Sequence, residues 1–160
     1  MTQITFKIKA ITIMALVATS IIFSSFSANK GGEGFEIFLN NKLVLQQFGS
    51  QMNTVKSIQL PQRFSDDQLV IKYHHCGQVG KNRSITIKDE KNKILKEWKF
   101  ANMSSANLSI SDAAMACKVK DILSLQKSNP GKLNLYYSSN ELPAGRLLAT
   151  IIPGEVAMTK

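Results

Sequence analysis

Leu69-Val70-Ile71-Lys72-Tyr73-His74-His75-Cys76 decides the fold. Leu69, Ile71, Tyr73 and His75 recur at every second position, while Val70, Lys72, His74 and Cys76 occupy the positions between. Successive side chains of an extended chain point to opposite faces, so this spacing reads as a strand with one side turned to a core. The same rhythm runs outward in both directions. Upstream, Phe35, Ile37 and Leu39 share a face, and Leu43, Leu45 and Gln47 continue it after Asn40-Asn41. That pair of asparagines tolerates positive φ and suits a tight hairpin. Ile58 and Leu60 form a short strand stopped by Pro61, and Asn29 to Gly34 is a short polar lead-in.

Downstream, Gly77 and Gly80 open a loop, and Ile85 with Ile87 begin a strand that turns at Asp89-Glu90-Lys91-Asn92 and returns through Ile94, Trp98 and Phe100. Lys96 falls on the inward side of the returning strand, which requires a sheet edge there or a bulge. Leu108 and Ile110 give another short strand. Leu133, Leu135 and Tyr137 are expected to pair with Leu147, Ala149 and Ile151 across a loop from Ser138 to Gly145, and Pro153 ends the last strand.

One stretch admits two readings. Met115, Val119, Ile122 and Leu123 fall at helical spacing, which would make residues 112–128 one amphipathic helix. Alternatively Met115, Cys117 and Val119 form a strand, and Asp121 caps a short helix that stops before Asn129-Pro130-Gly131. The second is preferred, because β-sandwiches often carry a short helix in such a crossover. About eight short strands with regularly spaced turns predict an all-β fold, an antiparallel two-sheet sandwich of immunoglobulin-like type with one short crossover helix.

The first 27 residues read as a secretory signal peptide. Lys7 and Lys9 precede an apolar run from Ala10 to Phe23, and Ser25-Phe26-Ser27 places small residues at a cleavage site. The uninterrupted apolar part is shorter than a spanning helix needs, so no transmembrane segment is expected after cleavage. The expected organisation is a signal peptide over 1–27, a flexible leader over 28–34, a β-sandwich over 35–153 and a tail over 154–160. The expected location is the periplasm or the cell exterior.

The chain carries 20 basic and 11 acidic residues, a formal charge of +9. Removing Lys7 and Lys9 with the leader leaves 18 against 11, or +7. That excess favours contact with an acidic envelope component or an acidic protein surface. Seven cations fall between Lys81 and Lys99, alternating with apolar residues and without aromatic residues interleaved on their face. That pattern reads as a solvated sheet surface and argues against specific nucleic-acid binding.

Cys76 and Cys117 are the only cysteines, an even pair in a chain read as exported, and a disulfide between them is the first expectation. Both histidines stand beside Cys76, so His74, Cys76 and Cys117, with Met115 or Met103, form an alternative copper or zinc site. A blue-copper arrangement needs a further histidine soon after its cysteine, and only Lys118 follows Cys117. Gly77 to Arg83 holds two glycines with Lys81 and Arg83, a candidate anion-binding loop without the pattern of a nucleotide loop. Ser84 lacks the nucleophile-elbow signature, and Asp66-Asp67 and Asp89-Glu90 sit in turns, so no catalytic residue is assigned. The sequence thus reads as a small exported binding or structural module, with a copper- or zinc-handling protein as the alternative.

Overall fold

The computed structural model describes residues 32–76, 78–102 and 113–153. The leader over 1–27, the strand expected at Leu108 and Ile110, Gly77, Met103 and the tail over 154–160 lie outside the described residues.

The alternation at Leu69 becomes strand β4, Gln68–His74, with Leu69 and Ile71 fully buried and Tyr73 nearly so. It belongs to a four-stranded sheet with β1 (Gly34–Leu39), β2 (Lys42–Phe48) and β7 (Met115–Lys118), in the order β2-β1-β4-β7. The second sheet holds β3 (Lys56–Leu60), β5 (Ser84–Lys88), β6 (Ile94–Lys99), β8 (Leu133–Ser139) and β9 (Leu142–Pro153), in the order β3-β9-β8-β5-β6. We call these sheets A and B. The protein is an all-β two-sheet sandwich. Phe35, Ile37, Leu69, Ile71 and Met115 of sheet A share one core with Ile85, Ile87, Leu133, Leu135, Ala149 and Ile151 of sheet B. Each of these side chains except that of Ala149 contributes roughly 1.5–3 kcal/mol through burial.

Local chemistry fixes the turns. Asn40 and Asn41 both adopt positive φ, 50° and 60°, the backbone of a two-residue hairpin whose twist matches its strands. At the β5–β6 turn the Asp89 carboxylate accepts from the amides of Lys91 and Lys93, both at 2.9 Å, and Asn92 takes φ 61°.

The expected crossover is present. Met115 and Cys117 face inward from a strand, and helix α1 (Val119–Ser128) follows, burying Val119, Ile122 and Leu123. Asp121 is not its cap. Lys118 holds that position, and Asp121 sits in the first helical turn, where its carboxylate takes the Lys96 ammonium at 2.9 Å. This pairing explains the inward lysine. β6 is a sheet edge with a register shift opposite Ile87/Lys88, so both devices anticipated for Lys96 are present.

Five details differ from the sequence reading. β3 pairs β9 in parallel, because the chain crosses from sheet A to sheet B after β2, while every other described pairing is antiparallel. The loop expected over 138–145 is mostly strand: Ser139 pairs Leu142, leaving a turn at Asn140-Glu141. The pairing of β8 with β9 shifts twice: it skips buried Leu148, so Leu147 meets Tyr136 and not the expected Tyr137, and it shifts again beyond Tyr137, where Gly145 takes φ 71°. Leu43 does not share a face with Leu45, because the β1–β2 register skips Val44 and moves Leu43 to the outer face, where it is 43% exposed. Finally, Glu33 and Gly34 of the expected leader belong to the sandwich: Gly34 opens β1 and the Glu33 carbonyl accepts from Gly49 N at 2.9 Å.

Candidate functional site

His74 and His75, adjacent in sequence, go to opposite sides of β4. His74 lies on the outer face, with Nε2 3.4 Å from the Glu36 carboxylate and its ring 5.7 Å from that of Phe48. His75 turns inward, and its Nε2 stands 2.8 Å from Tyr137 Oη and 3.3 Å from Ser139 Oγ. Pleating alone separates them.

The cysteines do not form the expected disulfide; both are free thiols, Cys76 exposed and Cys117 buried. Cys117 pairs in register with Leu69, while Cys76 lies seven residues further along in the turn closed by His75 and Gln78. At about 3.3 Å per strand residue that offset is roughly 20 Å, far beyond the reach of a disulfide. Burial, helped by the nearby Asp121 charge, pushes the Cys117 thiol up to about 12. The same offset keeps His74, Cys76 and Cys117 from meeting around one ion. Among the described residues no three His, Cys, Asp or Glu side chains converge as metal ligands.

Lys81 is exposed, and its amide donates to both Glu141 carboxylate oxygens, at 3.2 and 3.0 Å. Arg83 is only 4% exposed. Its guanidinium donates to the carbonyls of Ala113 at 2.6 Å and Ala101 at 3.2 Å, so it fastens two backbone segments and does not face an open loop. Burial lowers its proton affinity. Ser84 Oγ lies 2.8 Å from Ser138 Oγ, a cross-strand pair without a base. An aromatic ring does join the cations. Lys88 sits 4.2 Å over Tyr136 of the neighbouring strand β8, a pairing that no single segment displays.

Sequence reasoning missed an inter-sheet polar cluster because its members come from five places in the chain. Tyr73 of β4 stacks on Tyr137 of β8, with ring centroids 4.1 Å apart and planes at 12°. Tyr73 donates its hydroxyl to the Glu33 carboxylate, which also holds Arg146 of β9 at 3.1 Å. Burial and the Glu33 hydrogen bond raise the Tyr73 phenol well above its ordinary range. Burial lowers His75, and the charges of Glu141 and Glu33 oppose that only in part. Burial disfavours the Glu141 charge, yet backbone amides, that of Lys81 among them, hold its carboxyl below the usual range. Gly80 seals the cluster: a Cβ there would stand 2.5 Å from Tyr137 Oη and 2.9 Å from His75 Nε2. The arrangement can tie the two sheets together, and Gly80 closes one side of His75.

The outer face of sheet A carries side chains that the described residues leave wholly or partly exposed. The registers align Leu43, Phe38, Val70 and Ala116 as one apolar row across all four strands. Leu43 and Ala116 are exposed, and Phe38 and Val70 half-buried. Lys72 and Lys118 border the row on this face, with Glu36 opposite Lys72, and the Lys72 ammonium lies 5.1 Å from the Phe38 ring. A cleft of about 240 Å³ lies between the Asp89–Lys91 turn and the Ser128–Leu133 segment, and there Glu90 accepts from the Lys132 amide. Comparison with protein-family models, curated proteins and solved structures finds no match to this chain.

Proposed function

We propose that this chain is an exported binding module of the periplasm or cell exterior, which docks an acidic protein or envelope component on the outer face of sheet A. The apolar row Leu43–Phe38–Val70–Ala116 with its lysine border carries this reading. Apolar groups supply the burial on association, and Lys72 and Lys118 favour a partner of opposite charge. The signal-like first 27 residues and the basic balance of the remainder support it from the sequence.

Capture from envelope extracts tests the docking face. Val70→Glu on β4 is expected to abolish recovery of an acidic partner that the parent retains, while Gln59→Glu on β3 of sheet B leaves it in place. Recovery should also fall with ionic strength, because exposed charges are screened. Recovery unaffected by Val70→Glu would sink the assignment. Export is tested separately by the N-terminus of the mature protein: Ala28 is expected, and an intact Met1 on cytosolic protein would contradict it.

A further inference from the structure

The four sheet edges differ in how they refuse a neighbour. β6 carries the inward Lys96, a register shift, and Lys99 on its surface. β7 is four residues long and ends in Lys118, and β3 begins with Lys56 and stops at Pro61. Inward charge, short length, proline and bulges are the devices that keep edges from pairing. β2 has a bulge at Val44, but from Leu43 to Asn53 it and the following turn hold no charged residue. Leu43 and Val44 are 43% and 40% exposed.

Hydrogen-bond parity shows which backbone groups that edge offers. Gly49 N donates to Glu33 O, so the alternation of an antiparallel pair turns Gln47 and Leu45 toward β1 and leaves Phe48 and Gln46 facing away. The Phe48 amide finds only a long contact, 3.4 Å, to the Gln51 side chain. Among the described residues no strand pairs with this side of β2.

We propose that β2 is a self-association edge, at which two copies of this chain pair antiparallel across a two-fold axis. The shortest such ladder matches Gln46 of each copy to Phe48 of the other and joins two sheets A into one. Charge leaves this edge as the place where a second copy can approach. Two strongly basic molecules repel over most of their surfaces, whereas this strand meets its twin with no like charges opposed. Lys42 lies beyond the paired stretch. The two-fold arrangement satisfies both partners with one patch, as isologous interfaces do. A ladder this short defines a weak, concentration-dependent dimer. This inference stands apart from docking on the outer face, since Val70 takes no part in the ladder.

Sedimentation of the purified protein from micromolar to millimolar concentration is the test, with amide exchange read at both ends. The parent is expected to double in mass as concentration rises, with Gln46 and Phe48 amides gaining protection. Gln46→Pro removes only an amide that faces away from β1, so it should fold and remain monomeric. Val44→Lys, which introduces a cation beside the ladder, should shift the transition at least tenfold higher. Ile94→Lys on β6 and Val70→Glu on β4 should leave the dimer intact. A monomer throughout the range, or a dimer indifferent to both β2 substitutions, would overturn the proposal.

Discussion

β2 and β6 are both outer strands, each bulged and each packed over the same core, yet they end their sheets in opposite ways. β6 carries Lys96 inward to Asp121 and places lysines along its rim. β2 presents Leu43, Val44, Gln46 and Phe48 without a charge among them. An edge can therefore be closed by a single misplaced cation, and its absence elsewhere marks where contact is tolerated.

The contrast is broken most severely in the core beneath each edge. Ile87 under β6 is fully buried, while Leu45 on β2 keeps 8% exposure. Ile87→Ala should cost about 3–4 kcal/mol and Leu45→Ala about 2 kcal/mol in chemical denaturation. Equal losses would mean that β2 is as deeply covered as β5 and β6.

The thiols sharpen the same inside–outside division. At pH 8 the native protein should react with one equivalent of a thiol reagent, at Cys76, because Cys117 is buried and its thiol is pushed up to about 12. Unfolded protein without reductant should react with two. Two equivalents in the native state, or none in the unfolded state, would contradict the free-thiol geometry.

His75 probes the seam between the sheets. Its folded proton affinity is lowered by burial, so the unfolded chain binds the extra proton first. Its contribution is complete above about pH 6.5, the unfolded value, and is lost as pH falls toward the lower folded value. His75→Gln should flatten that acidic slope, measured by denaturation between about pH 7 and 5. A slope unchanged in the variant would remove His75 from the account.

The smallest effect belongs to the ion pair on β6. Lys96 and Asp121 are both more than a third exposed or close to it, so Lys96→Leu should change stability by less than about 1 kcal/mol. It should nonetheless make the β6 edge sticky, seen as concentration-dependent scattering. Unchanged solubility would mean that the bulge alone closes this edge.

Period-two alternation made β4, β1 and β8 legible, because each has one buried face and a wet one. The Asn40-Asn41 turn and the strand-then-helix reading at Met115 followed from turn chemistry and spacing. What escaped depended on partners. The shift of Leu43 outward needs the bulge at Val44, which no pattern in one strand reveals. Glu33, Tyr73, His75, Gly80, Tyr137 and Arg146 form a cluster only after five separate stretches of the chain converge. The disulfide expectation failed because even cysteine count says nothing about distance along paired strands, and Cys117 lies opposite Leu69, not the Cys76 turn. The apolar row on sheet A was likewise invisible, since each strand contributes a single member.

Residue-resolved amide exchange on dilute protein tests the open edge most directly. The parity of the β1–β2 pair predicts slow exchange at Leu45 and Gln47, which donate to β1, and fast exchange at Gln46 and Phe48. Equal protection of all four amides under monomeric conditions, or the inverse pattern, would contradict it.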